Sequence, residues 1–282
     1  MSSAQSGSGF RIALLGGGTV GAAVARGLVS RYEEWGIEIA GIAVRDVAKA
    51  EAAGLGKIAP LTTDPAALAA SDVDLVVELM GGLDPALGVV ESALKSGRPV
   101  VTANKLLLAN FGARLESLAR ASGAALRFES AVAAGVPIIG VLARDMAANE
   151  ITAIKGIING TTNYILTKME SEGWSYEQAL AEAQKIGYAE ADPRSDVEGE
   201  DAAAKLVILA RMASGAWPAL AHVQMDDAPG ITGVQATDIA AAAARGARLR
   251  MLASWENGGR SEEHTSELQS HLNLVCRLLL EK

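Results

Sequence analysis

The chain has 282 residues, 50% of them hydrophobic and 4% aromatic, and a formal net charge of −8. That length suffices for two domains with cores of their own, and the acidic balance gives no reason to expect nucleic acid or an anionic membrane as a partner. The N-terminus lacks an apolar signal segment, the longest apolar run (131–143) is too short to span a bilayer, and a single cysteine excludes an intrachain disulfide framework, so a cytoplasmic protein is expected.

A short apolar strand, a glycine-rich turn and an Ala/Val-rich helix follow one another between residues 10 and 29. The turn has the pattern G-x-G-x-x-G. In dinucleotide-binding folds the first glycine makes the tight turn, the second lets the backbone approach a pyrophosphate, and the third lets helix and strand pack closely. Free N–H groups at the helix start would bind the anion. The expected cofactor-binding residues of this turn are Gly16, Gly18, Thr19, Val20 and Gly21.

A second strand, residues 37–44, should end beside the ribose of a bound dinucleotide, where NAD-binding folds usually place an acidic residue. This chain has Arg45 first and Asp46 second. A guanidinium suits a 2′-phosphate, so the sequence favours NADP over NAD, with Lys49 as a further basic group. The alternative is that Arg45 is a solvated residue and that Asp46 is the N-cap of the next helix.

Buried parallel strands are also predicted at residues 74–80 and 98–102, and Lys105 lies where the latter gives way to a helix. Ligands of open α/β sheets bind outside the carboxyl ends of the strands, so Lys105 would point toward the cofactor site, the alternative being a surface lysine. The alternation of strand and helix from residue 10 to about 130 predicts a doubly wound parallel sheet.

From Glu150 the pattern changes to one strand followed by several helices. We expect a helix from Thr161 to about Glu172, and a second one that begins with a capping box formed by Ser175 and Gln178. An alanine-rich helix at 235–245 and a strand at 248–255 complete the predicted elements.

The segment Gly187–Lys205 begins as an acidic loop and leads into a helix that carries Asp201 and Lys205. These two residues are four apart, so they share one face of that helix. The pattern indicates a cation held among carboxylates. The alternative is a solvated acidic loop with a surface ion pair.

Six segments, taken together, resemble the homoserine dehydrogenase family and occur in that family's order. They are GGGTVG, VVELMGG, VVTANK, AVAAGVPII, KGIINGTTNYIL and GYAEADPRSDVEGEDAAAKL, and the resemblance covers about residues 10–258. It implies NAD(P)-dependent interconversion of L-homoserine and L-aspartate 4-semialdehyde in threonine and methionine biosynthesis, by a homodimer or homotetramer. Aspartate-semialdehyde and glyceraldehyde-phosphate dehydrogenases share the dinucleotide domain but need a thiolate nucleophile. Because no cysteine precedes Cys276, these two enzymes are excluded.

The resemblance also implies roles for five side chains. Lys205 would be the proton donor and acceptor, with Lys105 beside the nicotinamide as its helper. Glu190 would hold the substrate ammonium, Asp201 would orient the amino acid or Lys205, and Asp196 would be a supporting carboxylate. A lysine in this role needs its charged form disfavoured, by burial or by a second lysine.

The segment ESAVAAGV resembles the family's loop for a monovalent cation, Na⁺ or K⁺. The implied ligands are the carboxylate of Glu129 and the carbonyls of Val132, Ala134 and Val136, and oxygen ligands suit such hard cations. The family often has glycine at the place of Ala134. The alternative is a glycine-containing turn between a strand and a helix.

The predicted organisation has four parts: a flexible N-terminus at 1–9, an NAD(P)-binding Rossmann-type domain at 10–135, an incomplete α+β substrate and dimerisation domain at 136–259, and a tail at 260–282. The first half of the tail resembles a translated sequencing adapter, so we expect the tail neither to pack nor to function. The alternative is a natural amphipathic helix. Family members continue past the point that matches Gly258, so the resemblance implies a truncated enzyme, the alternative being a non-catalytic dinucleotide-binding fragment.

Overall fold

The computed structural model describes residues 9–225, 230–257 and 272–281. The chain divides into two compact units, Met1–Pro137 and Ile138–Lys282. This division falls two residues after the predicted domain boundary. Residues 1–8 of the predicted N-terminal segment lie outside the described residues. None of the helices in the described part of the chain combines the length and apolar character needed to cross a bilayer.

The first unit contains a six-stranded sheet in the order β3-β2-β1-β4-β5-β6, and every neighbouring pair is parallel. The predicted doubly wound parallel sheet is therefore confirmed. Its strands are β1 (Phe10–Leu15), β2 (Ile37–Ala43), β3 (Leu61–Thr62), β4 (Leu75–Glu78), β5 (Val100–Thr102) and β6 (Leu126–Arg127). The helices are α1 (Thr19–Val29), α2 (Tyr32–Trp35), α3 (Val47–Ala52), α4 (Pro65–Ala70), α5 (Ala86–Lys95) and α6 (Lys105–Ser122), and short 3₁₀ helices cover Leu55–Lys57 and Glu129–Ala131.

The core of this unit explains why β1 is central. Its four residues from Ile12 to Leu15 are almost fully buried, as a strand covered on both faces requires. Ala22 and Ala25 of α1 are buried in the same core, and their small side chains allow the helix to pack closely on the sheet. The strand order reverses direction between β1 and β4, and open α/β sheets bind ligands at the carboxyl ends of strands at such a point.

The second unit contains a four-stranded sheet in the order β7-β9-β10-β8. Strand β9 is antiparallel to both of its neighbours, and β10 is parallel to β8. The strands are β7 (Ala153–Gly156), β8 (Val223–Met225), β9 (Arg248–Asn257) and β10 (Leu272–Glu281). The helices are α7 (Ile138–Gly140), α8 (Gly160–Glu172), α9 (Tyr176–Lys185), α10 (Arg194–Val197), α11 (Glu200–Ser214) and α12 (Ala236–Ala244), with a π-helical segment at Val141–Asp145 and a 3₁₀ helix at Leu220–His222.

The predicted elements of this unit are largely confirmed. Helix α9 begins with the predicted capping box, α8 starts one residue before the predicted Thr161, and β9 continues to Asn257. The predicted strand after Glu150 is shorter, since only Ala153–Gly156 pairs with β9.

Helix α11 has more buried residues than the other helices described in this unit. Nine of its fifteen residues are buried, including the continuous run from Leu206 to Ala210. Five consecutive buried residues cover every face of a helix, so this part of α11 lies inside the core. Leu206 packs in one cluster with Trp255 of β9, so the core fixes the helix that carries Lys205.

The tail differs from the prediction. Residues 272–281 form β10, which pairs along its whole length with β9, from Leu272 opposite Asn257 to Glu281 opposite Arg248. The expectation that the tail does not pack is therefore wrong for these ten residues, and so is the helical alternative. The physical reason is that β9 offers a second row of N–H and C=O groups to a run of apolar residues that can pair with it. The remaining tail residues, 260–271 and 282, lie outside the described residues, and the origin of the tail stays a prediction.

Candidate functional site

The glycine turn, residues 16–21, joins β1 to α1 in a geometry that two glycines make possible. Gly16 has a φ of +112°, and a Cβ atom built there would lie 2.5 Å from the carbonyl oxygen of Leu79. A Cβ atom on Gly21 would lie 1.8 Å from the carbonyl oxygen of Gly16. Neither position could hold a side chain unless the backbone moved.

Gly18 differs from both, because a Cβ atom built there has no described atom within 4 Å. Gly18 is also the N-cap of α1 and has no side chain to cap the first N–H groups of that helix. Thr19 and Val20 in the first turn are exposed. An open backbone at a helix N-terminus is the arrangement that binds pyrophosphate, so these residues fit a dinucleotide.

The end of β2 adjoins the glycine turn, because the N–H of Gly16 donates a 2.9 Å hydrogen bond to the carbonyl of Ala43. Arg45 follows and is exposed. Asp46 accepts a 2.9 Å hydrogen bond from the backbone N–H of Lys49 and caps α3, which confirms the capping alternative for that residue. A contact between Arg45 and a 2′-phosphate stays a prediction.

Lys105 is the first residue of α6 and is half-buried. Asn104 caps the helix and also donates a 2.6 Å hydrogen bond to the carbonyl of Gly82. The hydroxyl of Thr102 donates to the fully buried carboxylate of Glu78 at 2.5 Å. These bonds tie the loop after β4 to the loop after β5 and so fix the backbone that presents Lys105.

Glu78 and Asn104 were missed by the sequence reasoning, although both lie inside segments that carry the family resemblance. A carboxylate within the apolar run VVELM is the signal that could have identified Glu78, because a charged residue is buried only when it is paired or hydrogen-bonded. Glu78 accepts hydrogen bonds from the N–H groups of Met80 and Gly81 as well as from Thr102.

In the second unit, Lys205 forms the predicted ion pair with Asp201. Its Nζ lies 2.7 Å from Asp201 Oδ2 and donates a second hydrogen bond, of 2.9 Å, to the carbonyl of Ile158. The side chains are 17% and 4% exposed, respectively. The alternative of a solvated surface pair is therefore wrong for these two residues. The ammonium is held between two acceptor oxygens, whereas we expected burial or a second lysine to disfavour its charge.

Asn159 and Thr161 join this pair to Asp196. Asn159 Nδ2 donates to Asp196 Oδ1 and to Asp201 Oδ2, each at 2.7 Å. The Thr161 hydroxyl lies 3.0 Å from Asp196 Oδ2 and 3.0 Å from the carbonyl of Tyr188. We call these five residues the lysine–carboxylate cluster: Asn159, Thr161, Asp196, Asp201 and Lys205. Asn159 and Thr161 were not predicted as site residues, although the segment NGTT has the form of a capped helix start.

Glu190 lies in the acidic loop with an exposed side chain. Among the described residues, the hydrogen bonds that join the lysine–carboxylate cluster do not include Glu190. Gln184 of α9 donates hydrogen bonds to the backbone carbonyls of Glu190, at 3.1 Å, and of Ala191, at 3.4 Å. The backbone of the loop is thus attached to α9 while the Glu190 carboxylate faces solvent.

The rest of the loop includes a conventional surface ion pair. Asp192 and Arg194 are hydrogen-bonded through their side chains, and the guanidinium lowers the pKa of Asp192 to about 2. The solvated alternative is therefore correct for Asp192. Elsewhere in the loop, the ring of Tyr188 stacks on that of Tyr164 of α8 with centroids 5.0 Å apart.

The predicted cation ligands lie in and after the 3₁₀ helix that starts at Glu129. Val132 is buried, whereas Ala134 and Val136 are exposed. Ala133 has a φ of +53°, and its carbonyl accepts a 2.7 Å hydrogen bond from the N–H of Val136, which closes a turn over these residues. Over the described ranges, no three His, Cys, Asp or Glu side chains form a group that could hold a metal. A carbonyl cage completed by one carboxylate suits a monovalent cation and stays a prediction.

Two family models match the chain. One is described as homoserine dehydrogenase, NAD binding domain, and matches residues 16–129, and the other is described as homoserine dehydrogenase and matches residues 137–277. The chain is 44% identical over 261 residues to a homoserine dehydrogenase of Corynebacterium glutamicum. The matched region covers 89% of this chain and 57% of that relative. The chain thus spans little more than half the length of that curated relative.

Solved structures give the same result. A homoserine dehydrogenase from Thiobacillus denitrificans has a TM-score of 0.85 and 39% identity, covering 96% of this chain and 61% of the other. A hyperthermophilic archaeal homoserine dehydrogenase, in complex with NADPH, has a TM-score of 0.74 and 27% identity, covering 96% and 81%. Because both units match models of one family and the relatives carry the same description, the chain belongs to the homoserine dehydrogenase family.

Proposed function

We propose that this chain carries the nucleotide-binding and substrate-handling residues of an enzyme that interconverts L-homoserine and L-aspartate 4-semialdehyde. The observation that carries the proposal is the lysine–carboxylate cluster, in which a mostly buried ammonium is paired with a buried carboxylate. A lysine fixed in this way is a proton donor with a defined position, and the interconversion of an alcohol and an aldehyde needs one.

The residues of the second unit would share the work on the substrate. When the aldehyde is reduced, Lys205 gives a proton to the aldehyde oxygen, and when homoserine is oxidised it takes the hydroxyl proton. Asp201 keeps the ammonium in place through the 2.7 Å contact. The exposed carboxylate of Glu190 would bind the substrate ammonium, and Asp196 would support that end of the site.

A nicotinamide cofactor would supply or accept the hydride. In the first unit, Gly16, Gly18 and Gly21, with the exposed Thr19 and Val20, would hold its pyrophosphate. Lys105 would assist near the nicotinamide. The exposed guanidinium of Arg45 supports a preference for NADP, as does the archaeal relative that binds NADPH.

A monovalent cation would be held by the Glu129 carboxylate and the carbonyls of Val132, Ala134 and Val136. Its contribution would be to fix this turn, since Ala133 lies in the left-handed region that non-glycine residues rarely adopt.

The first experiment separates catalysis from binding. Reduction of NADP by L-homoserine is followed by absorbance for the wild-type chain, for Lys205→Ala and for the control Lys185→Ala, which removes an exposed ion pair with Glu182. Lys205→Ala should lower kcat at least about a hundredfold, the usual worth of a positioned acid/base group, while the Kd for NADPH stays unchanged. Lys185→Ala should behave as the wild type. A near-normal kcat for Lys205→Ala would contradict the assigned role and leave Lys105 as the candidate.

A second variant tests the substrate contact. Glu190→Ala should raise the KM for homoserine about tenfold or more with little change in kcat, because a carboxylate that grips the ammonium binds ground state and transition state alike. If the wild-type chain binds NADPH but does not turn over, the chain acts as a dinucleotide-binding fragment and the proposed activity fails.

A further inference from the structure

All four hydrogen-bonding positions of the Asn159 side chain are used. Its Oδ1 accepts hydrogen bonds from the N–H of Thr162, at 2.8 Å, and from the Thr162 hydroxyl, at 3.0 Å. Its Nδ2 donates to Asp196 and to Asp201, each at 2.7 Å. An amide has two acceptor and two donor positions, so Asn159 is fully satisfied, and it is only 3% exposed. The orientation of the amide is therefore fixed by its partners.

The position of Asn159 brings two carboxylates together. Asp196 belongs to α10 and Asp201 to α11, and one oxygen of each lies 2.7 Å from the same nitrogen. The two carboxylates carry like charges and repel each other, and the burial of Asp201 strengthens this repulsion. Lys205 offsets the charge of Asp201, and the Thr161 hydroxyl lies 3.0 Å from Asp196 Oδ2. Asn159 is thus a neutral donor that holds both carboxylates in one arrangement.

Helix capping does not explain the choice of an amide at this position. Asn159 is the N-cap of α8, and its Oδ1 makes the capping bond. Aspartate or serine would cap a helix about as well. Of these three residues, only asparagine also supplies an N–H₂ group that can reach the two carboxylates.

We propose that Asn159 is a positioning residue for proton transfer. It fixes the carboxylate of Asp201 against Lys205 and ties that pair to Asp196, so that the ammonium and the acidic residues keep one geometry through the reaction. This inference rests on the function proposed above, in which Lys205 moves the proton.

The test uses Asn159→Asp, which keeps the size and the capping oxygen and replaces the donor with a carboxylate. Its melting temperature is measured against that of the wild type from pH 5 to pH 8. The charged groups of the cluster would then be three carboxylates and Lys205, so one carboxyl should keep its proton in the folded state. A folded-state pKa above the unfolded value, about 3.9 for Asp, makes stability fall as pH rises. The melting temperature should drop relative to wild type by about 5 °C or more between pH 5 and pH 8.

A capping role alone predicts the opposite. An ionised aspartate is favourable at a helix N-terminus, so Asn159→Asp would match or exceed the wild type as pH rises. That result would overturn the proposal. Asn159→Ser keeps a neutral cap but removes both donor bonds to the carboxylates, so it should melt lower than the wild type, with a weaker dependence on pH than Asn159→Asp. A melting temperature equal to that of the wild type at every pH would also contradict the proposal. Asp64→Ala, which removes the cap of α4 in the first unit, is the matched control for the loss of a cap.

Kinetics give an independent readout. Asn159→Ser should lower kcat for homoserine at least about tenfold with the Kd for NADPH within twofold of wild type, because the loss concerns the geometry of proton transfer. An unchanged kcat would overturn the positioning role. If the wild-type chain shows no turnover, the proposed activity fails, and the melting comparison alone decides whether Asn159 holds the two carboxylates.

Discussion

The glycine turn of the first unit is a site of backbone groups, whereas the lysine–carboxylate cluster of the second unit is a site of side chains. The turn offers backbone N–H groups, and its residues are consecutive in the chain. The cluster offers side chains, and it gathers residues between Asn159 and Lys205 from α8, α10 and α11. A site made of backbone can be found from a local pattern, whereas a site made of side chains depends on how separate helices pack.

The largest effect should come from Gly21 in the turn. Gly21→Ala would place a Cβ atom 1.8 Å from the carbonyl oxygen of Gly16, so α1 would have to move off β1. We expect the free energy of unfolding of the chain to fall by about 3 kcal/mol or more, measured by urea denaturation. Gly18→Ala is the matched variant, because its Cβ meets no described atom, so it should leave stability nearly unchanged and weaken NADPH binding. Equal destabilisation by both variants would show that the turn is not built as described.

A smaller effect should come from Arg45, the exposed residue near the end of β2. Arg45→Ala should weaken NADP binding by about 1 to 3 kcal/mol, the worth of a charge-assisted hydrogen bond, and leave NAD binding unchanged. Isothermal titration with both nucleotides measures this, and Lys49→Ala shows whether a neighbouring positive charge contributes. Tighter binding of NAD than of NADP by the wild type would rule out the preference.

The smallest effect should come from Asp192 in the acidic loop. A substitution there tests the exposed part of the second unit rather than its buried cluster. The guanidinium of Arg194 lowers the pKa of Asp192 to about 2. Any stabilisation of the folded state by this pair is therefore present above the unfolded pKa of about 4 and is lost as pH falls toward 2. Because the pair is fully exposed, Asp192→Asn should leave the melting temperature at pH 7 within the error of measurement. A clear drop would mean that the loop contributes to the core.

The same contrast explains how much could be predicted from the sequence. The turn, the parallel sheet and the pairing of Asp201 with Lys205 follow from spacing within short segments. The bridging role of Asn159 could not be predicted, because its partners are 37 and 42 residues away in the chain. Nor was the pairing of residues 272–281 with β9 predicted, because helical spacing in an apolar run says nothing about an open strand edge elsewhere.

Helix α11 also limits how the function proposed for this chain could change. Nine of its fifteen residues are buried, so most substitutions along it would cost stability before they altered chemistry. The acidic loop has exposed side chains at Tyr188 and Glu190, and substitutions there disturb little of the core. Under the proposed function, natural or laboratory evolution toward another amino alcohol should therefore change the loop first and leave Lys205 and its helix untouched.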